Sequence, residues 1–366
     1  MLKLRQPVSI TFMKVITIMI GVFLGFFFSE LAIRIVSPQM TGPVQFAYDP
    51  ELGEIPVPNR HGRRTLPGNY DYTYSNNSLG FRGNREYDYE KLGKYRILLL
   101  GDSFSYGVGV NDDEVVAYYL EKNLSLYYGS TEIINASNGG KGTDYALKLF
   151  QTLGYKFKPD LTVVCFFFND FADNERSEYF TVDNDGKLTP KRLPGSFGAR
   201  KTFLMGIPGY SWLISWSHAA NLIKNSVSTY IKSRVAKNSD FIKQYPETDQ
   251  LSNAENMRLT KIYTSKLNEI IKANGSEFII FYFPSGRDIV SFRSNESFSN
   301  DEQAITRITK DNNIRFCSLT ALLARSECSL DELYYKEGHW KAKAHFIGAQ
   351  SMSEEIKHYM QRRVGK

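Results

Sequence analysis

Ser103 follows Gly101-Asp102 directly after the apolar run at 96–100, and a polar, glycine-containing loop separates it from a helical pattern at 112–126. A strand that ends at a glycine and delivers a serine before a helix sets a hydroxyl at the carboxyl edge of a sheet. Open α/β sheets carry their chemistry at that edge. A serine hydroxyl is a weak nucleophile and needs a base within hydrogen-bond reach. Five histidines are available: His61, His218, His339, His345 and His358. His345 and His358 fall on the closing helical pattern, His218 on a helix of an insertion, and His61 in an irregular N-terminal segment. His339 stands in Tyr335-Lys336-Glu337-Gly338-His339-Trp340, a loop just before the last helix. It is the base this reading selects, against the plain alternative of a satisfied loop histidine. Glu337, two residues earlier, can orient the imidazole through its other ring nitrogen.

Acyl chemistry at a serine also needs donors preset where negative charge develops. Two stretches fit. Asn135-Ala136-Ser137-Asn138-Gly139-Gly140 follows a predicted strand, and a glycine such as Gly140 lets a backbone N–H approach the substrate. Asn169-Asp170 follows the next predicted strand, and the Asn169 amide can donate. Each alone is an ordinary strand-end turn. Together, three successive strands end in Ser103, Gly140 and Asn169, and the chain closes on His339. Asp170 and Arg82 are weaker candidates for substrate contact. Arg82 lies in Asn77-Ser78-Leu79-Gly80-Phe81-Arg82-Gly83, which also reads as a plain tight turn with Phe81 in the core.

These four blocks resemble those of the SGNH (GDSL-type) hydrolases, which supply Ser, Gly, Asn and His. Gly101-Asp102-Ser103-Phe104 matches the first block with Phe104 in place of leucine. The second resembles Asn135 to Gly140, and Asn169-Asp170 matches the third, with Phe167 replacing a usual glycine. Glu337-Gly338-His339-Trp340 resembles the fourth, where the common Asp-x-x-His form would put an acid at Lys336. The acid-Gly-His-Trp string is similar to membrane-anchored bacterial relatives, including some sugar O-acetyltransferases. The resemblance implies a three-layer α/β/α fold with a mainly parallel, flavodoxin-like sheet. It implies Ser103 as nucleophile, His339 as base, and Ser103 N–H, Gly140 N–H and the Asn169 side chain as the oxyanion hole. Asp102 is expected to brace the turn. No cofactor and no metal are implied, and no clustered His/Cys/Asp ligand set is apparent.

Elements must position these residues. Strand–helix alternation from residue 95 argues a doubly wound α/β domain. The run Leu161-Thr162-Val163-Val164-Cys165-Phe166-Phe167-Phe168 reads as a strand buried on both faces. Residues 171–250 break the alternation as an insertion that caps the site or binds a partner. Its aromatics Phe203, Tyr210, Trp212 and Trp216 either line an acceptor cleft or pack on the domain. Residues 15–33 are long and apolar enough to span a bilayer, with one charge at Glu30. Lys3, Arg5 and Lys14 precede them, which favours a cytoplasmic N-terminus and an exported catalytic domain. No small-x-small cleavage site follows, so an uncleaved anchor is expected rather than a signal peptide. The expected layout is therefore a stub and anchor over 1–36, a linker and wrapping segment over 37–94, and a hydrolase domain over 95–366.

With 366 residues, 42% hydrophobic and 14% aromatic, the chain can bury a sizeable core. The net charge of +6 lies partly in the N-terminal cations and in Arg60, Arg63 and Arg64, and gives no nucleic-acid groove. Cys165 reads as a core residue, and Cys317 and Cys328 could pair outside the cytoplasm. Three functions remain open. One is an extracytoplasmic esterase or deacetylase on an acylated glycan, lipid or small ester. The others are O-acyl transfer to a surface polysaccharide, and a catalytically silent binding module on the same fold.

Overall fold

A computed structural model describes residues 10–236 and 252–364. Lys3, Arg5 and the end of the predicted insertion, 237–250, lie outside the described residues. In chain order the elements are α1 (Ile10–Val36), the hairpin strands β1 (Phe46–Asp49) and β2 (Gly53–Pro56), and β3 (His61–Leu66) and β4 (Tyr70–Ser75). Then come β5 (Tyr95–Gly101), α2 (Ser103–Tyr106), α3 (Val116–Tyr128), β6 (Thr131–Asn135), α4 (Thr143–Thr152), β7 (Leu161–Phe166) and α5 (Asp170–Glu175). The insertion holds β8 (Phe180–Val182), β9 (Leu188–Pro190), α6 (Ala199–Gly206), α7 (Tyr210–Trp216) and α8 (His218–Ala236). The domain closes with α9 (Ala254–Ala273), β10 (Glu277–Tyr282), α10 (Gly286–Asn295), α11 (Asn300–Asp311), β11 (Arg315–Ser318), α12 (Thr320–Arg325), α13 (Leu330–Leu333) and α14 (Ala342–Val364).

Five strands form one sheet in the order β11-β10-β7-β5-β6, and every pair in it is parallel. Counted along these strands the order is the flavodoxin-like 2-1-3-4-5, whose direction reverses between β5 and β7. Each strand alternates its side chains between two cores. Leu98, Leu100, Ile134, Val164 and Ile280 face α4, α9 and α11, while Ile97, Leu99, Ile133, Val163 and Ile279 face α3, α10, α12 and α14. All of them are buried, each contributing roughly 1.5–3 kcal/mol. The apolar runs of the sequence thus carry both faces of a covered sheet.

The stretch 37–94 is more ordered than its composition suggested. It folds as two antiparallel hairpins, β1 with β2 and β3 with β4, on either side of a short link. Val182-Asp183-Asn184-Asp185-Gly186 turns the chain from β8 into β9. The helical stretch of the insertion that carries His218 is two helices parted at Ser217. The Glu30 carboxylate of α1 explains the break. It accepts from Ser217 Oγ at 2.8 Å and from the N–H groups of His218 and Ala219 at 3.0 and 2.9 Å, capping α8. All three cysteines are free, so the Cys317–Cys328 pairing is not formed; Cys317 lies 3.6 Å from a Glu355 oxygen. α1 is long and apolar enough to cross a membrane by length and composition, and most of its side chains are exposed.

Candidate active site

β5 ends at Gly101, where no side chain fits. A Cβ there would lie 2.7 Å from the Cys165 carbonyl oxygen of β7. The next residue, Asp102, caps the short helix α2 by accepting from the Phe104 N–H at 2.9 Å. Ser103 is therefore the first residue of α2, above the point where the strand order reverses. The loop after α2 is held from beneath by Arg82. That guanidinium donates to the carbonyls of Tyr106, Gly107 and Val110 at 3.2, 3.0 and 2.7 Å and pairs with Asp112 at 2.7 Å.

His339 arrives from the other end of the chain on a loop pinned at three points. Trp340 stacks on Phe283, centroids 4.4 Å apart, and its Nε1–H donates to the Pro284 carbonyl at 3.1 Å. Tyr334 OH donates to the same carbonyl at 2.9 Å, and Tyr335 OH to the Gly109 carbonyl at 2.8 Å. The last contact ties the histidine loop to the loop that follows Ser103. As a result His339 Nε2 lies 2.8 Å from Ser103 Oγ, and Nδ1 lies 2.5 Å from Glu337 Oε2. The hydrogen-bond pattern assigns the tautomer: Nδ1–H donates to the carboxylate and Nε2 accepts from the serine hydroxyl. Serine, imidazole and carboxylate thus stand in the order of a nucleophile, its base and an orienting acid.

Two of the departures from the expected motif meet here. Phe104 and Phe167 stack with centroids 3.8 Å apart, and the Phe104 ring lies 5.0 Å from that of His339. Together they make an apolar floor beneath the imidazole. Sequence reasoning gave them no role, although both occupied block positions where another residue was expected.

The remaining candidates divide. Among the described residues the Ser103 and Gly140 N–H groups have no protein acceptor. The glycine against the nucleophile is Gly139, since a Cβ on it would lie 3.6 Å from Ser103 Cβ. Nothing lies within 4 Å of one on Gly140, whose φ is +70°. Asn169 turns its amide toward an acid: Nδ2 donates to Asp173 Oδ2 at 3.1 Å. Asp170 is 1% exposed, which leaves it no open face for the expected substrate contact. Arg82, also buried, donates to the protein's own carbonyls, so its expected role in substrate contact is corrected to bracing the loop, with Phe81 in the core. His61 bonds Ser75, His218 accepts from the Gln39 N–H, and His345 is buried against Trp340, so none of these three competes with His339.

Beneath Ser103 lies a set of buried acids. Burial pushes Asp102 up to about 6, opposed by the Phe104 N–H, by positive charge on His339 and by Asn169. Asp144 and Asp173 are likewise pushed up to about 6 by burial, and Asp170 well above its ordinary range by burial and its acidic neighbours. No group of three or more His, Cys, Asp or Glu side chains among the described residues could hold a metal ion.

No protein-family model and no curated protein sequence matches the chain. Solved structures similar to it include the psychrotrophic esterase EstA from Pseudoalteromonas sp., at 15% identity and a TM-score of 0.38 over 73% of this chain and 100% of that one. The lipase/acylhydrolase from Enterococcus faecalis is 14% identical, with a TM-score of 0.39 over 72% of this chain and 96% of the other. The acetylxylan esterase Axe2 from Geobacillus stearothermophilus is 12% identical, with a TM-score of 0.40 over 73% and 96%.

Proposed function

We propose that this chain is a serine-dependent ester hydrolase, anchored by α1 and acting outside the cytoplasm on an acylated glycan, lipid or small ester. One observation carries the reading: the Ser103–His339–Glu337 relay, with contacts of 2.8 and 2.5 Å, stands at the carboxyl edge of a parallel sheet. In this reading Ser103 Oγ attacks the ester carbonyl while His339 Nε2 takes the hydroxyl proton. Glu337 steadies the imidazolium through Nδ1–H. The oxyanion is held by the N–H groups of Ser103 and Gly140 and by the Asn169 amide, which joins by releasing Asp173. Each such donor is worth roughly 10²–10³ in rate. Collapse of the tetrahedral adduct breaks the ester bond, and His339 returns the proton to the leaving alcohol. Water then attacks the acyl-serine with His339 again as base, releasing the acid and restoring Ser103.

The anchored placement is supported by the length and composition of α1, by Lys3 and Arg5 ahead of it and by Lys14 in its first turns. The activity is tested with the full chain in detergent and a short-chain aryl ester. Ser103→Ala is expected to abolish turnover with an unchanged circular dichroism spectrum. Equal turnover by the variant refutes the reading.

A further inference from the structure

A concavity lies near Ser103. It has a volume of about 680 Å³ and is walled by the segment from Met40 to Phe46, just past the end of α1, and by residues of α6, α7 and α8. Val44, Phe46, Leu204, Tyr210 and Ile214 make much of its lining apolar. Three cations reach it, Arg64, Lys201 and Lys224, and no carboxylate among the described residues lines it. Lys201 is already satisfied, paired with Glu54 at 2.7 Å and set 3.9 Å over the Phe197 ring.

Arg64 and Lys224 differ from it. Arg64 Nη2 meets Met40 Sδ at 2.8 Å, and Lys224 Nζ donates to the Asn221 amide oxygen at 2.7 Å. Both contacts are neutral, so among the described residues the two charges are uncompensated. Burial and the like charge of Arg64 hold the Lys224 ammonium below its ordinary range. An anion between the two cations relieves their repulsion and gains charge-assisted hydrogen bonds.

Position indicates where that anion comes from. The cavity wall starts where α1 leaves off, and α8 is locked to α1 through Glu30. The same insertion helices expose Phe203, Trp212, Ile223 and Tyr230. Aromatic and aliphatic side chains beside a span suit the interfacial layer of a bilayer. Toward the interior the wall is Phe46. Its Cζ lies 4.0 Å from a Cβ built on Gly139, which itself lies 3.6 Å from Ser103 Cβ. One end of the cavity thus adjoins the α1–α8 junction and the other the reactive hydroxyl.

We infer that this cavity takes the net-anionic phosphate headgroup and first carbons of an acidic membrane lipid, and that the ester delivered to Ser103 is carried on such a lipid. The inference rests on the reading of α1 as a membrane span and of Ser103 as nucleophile. The test uses the full chain in a non-ionic detergent and native mass spectrometry with three probes: dioleoyl phosphatidic acid, dioleoyl phosphatidylcholine and inorganic phosphate. Phosphatidic acid is expected to stay bound and to raise the apparent KM for the aryl ester, while the other two do neither. Combining Arg64→Gln with Lys224→Gln is expected to weaken phosphatidic acid binding roughly thirtyfold. Leu204→Trp fills the cavity without touching charge, so it decides the matter if the double variant fails to fold. Equal retention of phosphatidylcholine overturns the inference, as does equal binding of inorganic phosphate, binding unchanged in both variants, or binding with no effect on KM. Two checks keep the premises apart from it. Carbonate resistance of the membrane-bound wild type tests the span, and wild-type turnover of the aryl ester tests the nucleophile.

Discussion

Replacing Glu337 by glutamine removes one negative charge and changes little else. The carboxylate accepts from His339 Nδ1 at 2.5 Å, and both side chains retain about a quarter of their exposure, 24% and 23%. A hydrogen bond to a charged group contributes about 1.5–3 kcal/mol, and partial exposure moves this pair toward the lower end through solvent screening. Since the bond strengthens as the imidazole gains its proton, most of that energy belongs to the transition state. The expected loss in kcat is roughly ten- to fiftyfold with KM unchanged. Glu337→Ala removes the acceptor altogether and frees the ring to turn. Its loss should exceed that of glutamine and approach the roughly 10⁴-fold seen when a protease triad loses its orienting acid. The assay is steady-state hydrolysis of a short-chain aryl ester by the full chain in detergent. If both variants stay within about twofold of wild type, Glu337 does not orient His339 and the relay reasoning fails.

Other consequences concern the frame around the site. Arg82→Met leaves three carbonyls and Asp112 without their donor and should cost roughly 3–5 kcal/mol of stability. Thermal unfolding reads that loss, while KM at a temperature where the variant is folded should be unchanged; a raised KM would return Arg82 to substrate contact. Glu302 is fully buried, accepts from Thr320 Oγ1 at 2.7 Å, and is pushed by burial from 4.5 up to about 7. Its folded value is raised, so the neutral form stabilises the fold below about 4.5 and that contribution is lost as pH rises through 7. Wild type should thus lose about 3 kcal/mol between pH 5 and 8 that Glu302→Gln does not lose, and parallel unfolding curves for the two proteins would contradict the buried acid.

The parts of the site that could be read from sequence were those written in contiguous residues. Ser103 stood at the end of an apolar run, and Glu337 and His339 stood two apart across one glycine, a separation the loop keeps. The strands were legible because a sheet covered on both faces needs unbroken apolar runs, as at Leu161–Phe166. What stayed hidden depends on partners distant in the chain. Glu30 looked like a lone charge in an apolar helix, yet besides Arg34 one turn on its partners are at 217–219. Arg82 looked exposed in a turn because nothing local revealed the carbonyls that bury it. That Gly139, and not Gly140, packs against the Ser103 side chain depends on the backbone path past Ser103, which two adjacent glycines leave undetermined. α10 was missed although its capping box, Ser285 with Asp288, was present in the sequence.

Whether Ser103 is the group that becomes acylated decides the account, and covalent labelling tests it most directly. The full chain is incubated with a fluorophosphonate, and intact mass and peptide mapping locate the adduct. One equivalent on Ser103, with labelling lost in Ser103→Ala and strongly slowed in His339→Ala, is the predicted result. An active preparation that stays unlabelled, or carries its adduct on another residue, would contradict it.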